Sequence, residues 1–334
     1  MNCRPVKNLA GFTLIELMVA MLLGLIVIGG VTSVFLANQQ VYRTNAALSD
    51  VQENARMSFE LLAQNIREAG LLGCSNNGQV ANVLADGPNN GGTDWWANWG
   101  NALVGYGSGT SANPALATVT NQVAGTDSLT ILSAADVGLS VNSQTSTAFT
   151  LNGTSTNLAA KKIMIVCDPW QAAIFRANTY TAGTNPVIGY AVSSTTNCST
   201  GLGYPTVCTA GGNAYTYAAN SPIATLAAGA WYIGTNPANT SSLYFASLDT
   251  TTGTVTSQEM VRGVTAMSIT YNMANQTNFV MASKVTNWSS VAAVQINLTV
   301  QQSSGANAGT NGTNTTTPLQ RSYTVTSTVR NRVQ

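Results

Sequence analysis

The chain has 334 residues, with 13 basic and 12 acidic side chains and no histidine. Because phosphate binding depends on clustered Lys and Arg, this sparse and nearly balanced charge argues against a nucleic-acid partner. Without histidine, and without a paired carboxylate motif, the sequence also offers few candidates for general acid-base catalysis, which disfavours an enzyme. The length allows two modest domains, or one large β-rich domain behind a membrane anchor.

An apolar segment lies close to the N-terminus. The stretch from Phe12 to Leu36 reads FTLIELMVAMLLGLIVIGGVTSVFL, and Glu16 is its one charged residue. About 20 apolar residues are enough for a helix to cross a bilayer, so we predict a transmembrane helix over residues 12–36. Arg4 and Lys7 precede it, which predicts that the N-terminus lies in the cytoplasm and the bulk of the chain lies outside. A signal peptide is the alternative, but its apolar region is usually shorter and is followed by small residues.

The junction between the leader and this segment carries a recognisable motif. Gly11 is followed by Phe12-Thr13-Leu14-Ile15-Glu16, an order that resembles the type III signal of type IV prepilins and of type II secretion pseudopilins. The resemblance implies that residues 1–11 form a leader, which a membrane-embedded prepilin peptidase removes by cutting after Gly11. It also implies that Phe12 becomes the N-methylated terminus of the mature protein.

Glu16 needs a partner, because a charge at membrane depth costs about 3 kcal/mol even on lenient scales. Cleavage would create an α-ammonium group at Phe12, one helical turn before Glu16. Two opposite charges are costly alone in an apolar environment and tolerable together. The resemblance implies that Glu16 pairs with the terminal amine of a neighbouring subunit and sets the axial register in the filament. The alternatives are solvation by local water or protonation of the carboxylate.

The helix is predicted to continue beyond the membrane. Apolar residues recur at spacings of three and four, which indicates an amphipathic helix over residues 37–70. The stripe consists of Leu48, Val51, Ala55, Phe59, Leu62, Ile66 and Ala69. Gly70 is a plausible C-cap. We therefore predict one helix from Phe12 to Ala69.

Residues 71–334 are predicted to form a β-rich head. Short apolar or alternating runs are separated there by turn residues, as is typical of strands. The candidate strands are Ser128–Ser133, Ala148–Asn152, Lys162–Cys167, Ala172–Ala177, Ala230–Ile233, Ser242–Ala246, Met267–Asn272, Ala292–Val300 and Ser322–Val329. The low-complexity stretch Ser303–Pro318 is predicted to be a surface loop between the last two strands, with a binding role as the alternative. The fold class is then α+β, and the resemblance implies a type IV pilin-like arrangement.

The cysteines indicate an oxidising compartment. Cys3 falls in the leader, which leaves Cys74, Cys167, Cys198 and Cys208, an even number suited to two disulfides in the periplasm. Four cysteines allow three pairings. We favour Cys198 with Cys208, which closes a small loop, and Cys74 with Cys167, which ties the end of the helix to the sheet. A zinc site is the alternative, but the chain lacks histidine and a Cys-x-x-Cys pair.

Two aromatic motifs allow more than one interpretation. Residues 94–99 read DWWANW, and these tryptophans could bind sugar or a neighbouring subunit if they were exposed. We favour the alternative that they cover the sheet and fill a second core. The sequence Cys167-Asp168-Pro169-Trp170 is predicted to be a tight turn beside a disulfide.

Three further segments, one at the end of the helix and two in the head, extend the likeness. The segments that look like the PilW family of minor pilins are Ile66-Arg67-Glu68-Ala69-Gly70 leading to Gly73-Cys74, Val261-Arg262-Gly263-Val264 before a predicted strand, and Thr328-Val329-Arg330-Asn331-Arg332. The large minor pseudopilin of type II secretion is the alternative within the class.

The resemblance implies a protein that acts by assembly and needs no cofactor. It would be a single-pass inner-membrane protein with a periplasmic head that later joins the pilus at the cell surface. Its expected partners are other minor pilins, the major pilin, prepilin peptidase and the inner-membrane pilus assembly machinery. Its expected role is to prime filament growth in a tip complex. A pilus-tip adhesin is the opposing hypothesis, and an enzyme is a third class.

Overall fold

The computed structural model describes residues 13–74, 78–108, 112–302 and 318–330. It contains one long N-terminal helix and a β-rich head with two sheets, which confirms the α+β class. The chain divides into two compact units, residues 1–50 with 304–319 and residues 51–303 with 320–334. The predicted loop at 303–318 lies almost wholly outside the described residues.

Helix α1 spans Leu14–Glu68 and is continuous. The glycines at 24, 29 and 30 do not interrupt it. At the C-terminal end Gly70 has φ +69°, a left-handed conformation that glycine adopts without steric cost and that is common just past a helix. The N–H of Leu71 donates to the Glu68 carbonyl at 3.0 Å. The helix therefore ends where the glycine predicts.

The part of α1 after residue 50 carries the predicted buried stripe. Val51, Ala55, Leu62 and Ile66 are buried in the largest core of the head. Ser58 is buried in the same part of the helix, although the apolar pattern omits it. Its hydroxyl donates to the Asn54 carbonyl one turn earlier at 2.7 Å, so the polar group is satisfied within the helix.

The described residues contain fifteen strands in chain order. They are β1 (Val80–Asn82), β2 (Leu103–Tyr106), β3 (Ser128–Gln144), β4 (Ala148–Leu151), β5 (Ile163–Cys167), β6 (Ala172–Arg176), β7 (Thr179–Thr181), β8 (Val187–Gly189), β9 (Pro222–Thr235), β10 (Ser241–Leu248), β11 (Val255–Arg262), β12 (Val264–Met273), β13 (Val280–Met281), β14 (Val291–Gln301) and β15 (Gln320–Thr328). Each of the nine predicted strands lies on one of them. β3 and β9 are much longer than predicted. Their additional residues are mostly small or polar and give no apolar pattern from which a strand could be predicted.

The larger sheet is built around β9. Its strand order is β1-β6-β5-β9-β3-β4-β8-β7, with β10 beside β9, β11 beside β10 and β2 beside β3. β1 and β6 are parallel, and the other pairs are antiparallel.

The smaller sheet has the antiparallel order β13-β12-β14-β15. In β14, Val294, Ile296, Leu298 and Val300 are buried in alternation with half-buried residues, so one face of this sheet packs on the core. Gly263 separates β11 from β12 with φ +79°, and the chain crosses there from one sheet to the other. This sheet and the helix after residue 50 share one core.

Candidate assembly site

The first turn of α1 is closed by its own side chains. The N–H and the hydroxyl of Thr13 both donate to Glu16 Oε2, each at 3.1 Å. In return the N–H of Glu16 donates to Thr13 Oγ1 at 3.4 Å. This reciprocal arrangement is a capping box, which satisfies donors that a helix N-terminus leaves without partners. A carboxylate in this first turn is also favoured by the helix dipole.

Thr13 has a role in this turn that we did not predict from the sequence. The signal was present, since Ser or Thr followed three residues later by Glu, before an apolar run, is the sequence pattern of a capping box. Both contacts from Thr13 end on Oε2, and within the described part of the chain Oε1 accepts no hydrogen bond. Glu16 can therefore hold its own helix end and still receive a second donor. Gly11 and Phe12 lie outside the described residues, so cleavage and methylation there stay predictions.

The helix surface after this turn is apolar on every side. Its large apolar residues between Leu14 and Leu36 are all exposed or nearly so. By length and composition this helix can cross a membrane. Thr32 donates its hydroxyl to the Ile28 carbonyl at 2.8 Å, so this polar group needs no external partner. A helix that is apolar all round is stable only in lipid or among other helices.

The cysteines of the head lie in two close pairs. The Cα atoms of Cys74 and Cys167 are 6.1 Å apart, and those of Cys198 and Cys208 are 4.9 Å apart. Both separations fit disulfides, and the pairs are the two that we favoured. Among the residues described, no group of three or more potential metal ligands occurs.

The tryptophan motif packs into the head. Trp99 is buried in a core that also receives the half-buried Trp95 and Trp96. The guanidinium of Arg176 lies 5.3 Å from the centre of the Trp96 ring, and its Nη2 is 3.3 Å from Asp86 Oδ2. These contacts agree with the interpretation that the tryptophans cover the sheet and fill a second core.

The turn after β5 is organised by a buried carboxylate. Asp168 Oδ1 accepts hydrogen bonds from the N–H groups of Trp170 at 2.8 Å and Gln171 at 2.9 Å. The hydroxyl of Tyr215 donates to Asp168 Oδ2 at 2.6 Å. Burial, followed by the hydrogen bond to Asp168, raises the pKa of Tyr215 to about 12. The turn is tight, as predicted, and it leaves Trp170 exposed.

Two family models match the chain. The prokaryotic N-terminal methylation motif matches residues 7–32, which include the capping box and the start of the apolar helix. The model of the PilW family, described as type IV pilus-assembly protein W, matches residues 230–334. The resemblance to the PilW family is confirmed. Comparison with curated proteins gave no match, and comparison with solved structures gave none either. The prepilin signal and the apolar helix together indicate membrane anchoring.

The PilW region supplies much of the core that holds α1 in the head. It contains the end of β9 and all strands from β10 to β15, which include the whole smaller sheet. Trp231, near its start, donates its indole N–H to Asn65 Oδ1 at 3.1 Å. Ser327, in β15, donates its hydroxyl to the Ala63 carbonyl at 3.5 Å. The helix after residue 50 therefore packs largely against the matched region.

Proposed function

We propose that this protein is a minor pilin that enters a type IV pilus through α1 and primes filament growth as part of a tip complex. One observation carries the proposal, namely that a prepilin methylation motif and a PilW region occur in the same chain, at residues 7–32 and 230–334. A pilin of this kind is a structural subunit and a substrate of processing enzymes.

The assembly mechanism starts in the inner membrane. Residues 1–11 act as the leader, residues 12–36 span the bilayer, residues 37–70 continue the helix, and residues 71–334 form the periplasmic head. Prepilin peptidase cuts after Gly11 and frees the amine of Phe12, which is then methylated. The apolar helix surface moves from lipid to contacts with other minor pilins and the major pilin, driven by the inner-membrane assembly machinery.

The capping box contributes a defined acceptor to this step. Glu16 Oε2 is engaged by Thr13, whereas Oε1 accepts no bond within the described chain. In the proposed complex Oε1 receives the terminal ammonium of a neighbouring subunit. The pair is neutral as a whole, so it can stay in an apolar environment that would penalise either charge alone.

The match to the PilW family favours the pilus over the type II secretion pseudopilin. A pilus-tip adhesin is a second candidate, favoured by two exposed aromatics on the head. Trp170 is 66% exposed and Tyr204 is 48% exposed. They belong to neighbouring loops, since the N–H of Tyr204 donates to Gln171 Oε1 at 2.8 Å.

A deletion and complementation experiment in the native bacterium tests the proposal. We expect the deletion to abolish surface pili and leave type II secretion intact. The wild-type gene and a Trp170→Ala/Tyr204→Ala variant should both restore pili and adhesion. If the double variant restores pili but not adhesion, the adhesin is supported. Loss of secretion with normal pili would contradict the proposed function.

A further inference from the structure

β15 is an open edge of the smaller sheet. It is last in the order β13-β12-β14-β15, and no strand of the described residues lies on its far side. Its nine residues pair with β14 without interruption, from Gln301 opposite Gln320 to Ala293 opposite Thr328. The pairing of β15 is therefore regular along its whole length.

The direction of the open backbone groups follows from the ladder. Val329 donates its N–H to the Ala292 carbonyl at 2.9 Å, in the same register as the β14–β15 pairs. In an antiparallel ladder, alternate residues turn their N–H and C=O groups toward the partner strand. The backbone N–H and C=O groups of Ser322, Thr324 and Thr326 therefore point away from β14. Such a row of open donors and acceptors is a template for another strand.

The usual protection of an edge strand is missing here. Between Ser322 and Thr328 there is no charge and no proline, and Arg321 stands at the start of the strand. Natural sheets protect long edges with charges, prolines or bulges. β11, which forms an edge of the larger sheet, carries Glu259 and Arg262 and has a register shift in its pairing with β10. The head thus protects the β11 edge and leaves the β15 edge open.

We propose that β15 is a docking edge, to which a β-strand from another prepilin-signal subunit adds in the pilus assembly complex. The inference rests on the proposed function. An extended polypeptide is the occupant that fits, because open N–H and C=O groups at strand spacing are satisfied by another backbone. Between Ser322 and Thr328 the side chains offer no charge for a partner to match, so the contact depends on backbone hydrogen bonds. The prepilin signal brings the chain together with other subunits of this kind.

Photo-cross-linking in living cells identifies the protein that binds the open edge of β15. p-Benzoylphenylalanine replaces Thr326 in the full-length chain, and the matched control replaces Gln258 on β11. We expect residue 326 to cross-link to a strand of another prepilin-signal subunit, identified by mass spectrometry of the linked peptides, and residue 258 to give no such product. Cross-links to a second copy of this chain, to its own residues 303–317, or to no protein would overturn the inference.

Three substitutions at Thr326 test the contact itself. Because its N–H points outward, Thr326→Pro removes no bond to β14, and Thr326→Lys adds the charge that protected edges carry. Thr326→Val keeps the shape and the backbone. Co-purification of other minor pilins should fall at least about tenfold with Pro and Lys, equivalent to about 1.4 kcal/mol, and stay near wild type with Val.

The outcomes separate this inference from the function on which it rests. If the wild-type chain co-purifies with other minor pilins and the Pro and Lys variants do so equally well, the docking edge is wrong while the pilin role stands. If the wild-type chain co-purifies with none of them, both fail. The control is denaturant unfolding of the Lys variant. If its midpoint equals that of the wild type, misfolding is excluded as the cause of lost binding.

Discussion

Trp231 donates its indole N–H to Asn65 Oδ1 at 3.1 Å and so links β9 to α1 inside the head. The indole is only 2% exposed, so without Asn65 its N–H would be a buried donor with no acceptor. We expect Asn65→Ala to lower the free energy of unfolding by about 1–3 kcal/mol.

Denaturant unfolding of the full-length protein in detergent, followed by tryptophan fluorescence, measures this effect. All six tryptophans lie in the head, so the signal reports on its unfolding. Gln64→Ala is the matched control, because Gln64 is the adjacent residue and bonds Glu68 on the exposed helix surface. The control should change stability by less than about 0.5 kcal/mol. Equal effects from the two variants would show that the buried bond is unimportant.

Much of the fold could be predicted because it follows local apolar periodicity. The helix and nine strands carry that signal in contiguous residues, and Gly70 marks the end of the helix by its left-handed conformation. β11 was missed because its exposed residues, from Thr256 to Gln258, are polar and give no alternation of apolar side chains. Its pairing depends on β10, and no pattern within the strand itself encodes that.

The candidate site was predicted only in part, because only some of its residues have a distinctive local pattern. Glu16 was found because a charge in an apolar run is conspicuous. The capping role of Thr13 was not predicted, because Thr13 was considered only as one residue of the prepilin signal. The link between Asp168 and Tyr215 joins residues far apart in the sequence, in a chain where such polar residues are common. The open edge of β15 is a property of sheet order, which spacing along one strand does not reveal.

The disulfides should differ in their contribution to stability. The Cys74–Cys167 pair is separated by 93 residues and the Cys198–Cys208 pair by 10. On the chain-entropy account, the longer loop restricts the unfolded state by about 2 kcal/mol more. Replacing both cysteines of the first pair by serine should therefore destabilise the head more than the same change in the second pair, as measured by denaturant unfolding.

Peptide mapping without reductant gives the direct check of the pairing. We expect two linked peptides, one for each pair, and no reactive thiol in the mature protein. Four free thiols, or peptides that join Cys74 to Cys198, would contradict the assignment.

Tyr215 should make the stability of the head depend on alkaline pH. Its pKa is about 12 in the folded protein, against an ordinary value of 10.0. The unfolded chain therefore loses this proton first, so the stabilising contribution is complete below pH 10 and is lost as the pH rises toward 12. Burial raises the pKa of Tyr217 and acts in the same direction.

Urea unfolding across this pH range tests the effect. We expect the free energy of unfolding of the wild-type protein to fall as the pH rises above 10, the ordinary tyrosine value. Tyr215→Phe should make the fall shallower, because one of the titrating groups is gone. An identical slope in the variant and the wild type would mean that Tyr215 ionises alike in both states.

Processing should leave a defined terminus. If prepilin peptidase cuts after Gly11, protein recovered from sheared filaments should begin with N-methylated Phe12. Gly11→Val should accumulate in the membrane with the leader attached, while the neighbouring Ala10→Val should be processed normally. Intact Met1 in assembled filaments would contradict the assignment of the signal.

We expect the charge of Glu16, and not only its capping role, to be needed for assembly. Glu16→Gln separates the two, because Gln can replace Glu in a capping box but cannot pair with an ammonium group as an anion. Thr13→Val is the converse control, since it removes the capping hydroxyl and leaves the carboxylate.

The decisive measurement is co-purification of other minor pilins with each full-length variant, at equal membrane level and equal processed mass. We expect Glu16→Gln and Glu16→Ala to be cleaved normally and to lose co-purification, because an unpaired ammonium would then be buried in an apolar environment at a cost of several kcal/mol. Glu16→Asp should retain part of it, and Thr13→Val should retain most of it. Wild-type co-purification and normal piliation with Glu16→Gln would contradict the account and reduce Glu16 to a helix cap.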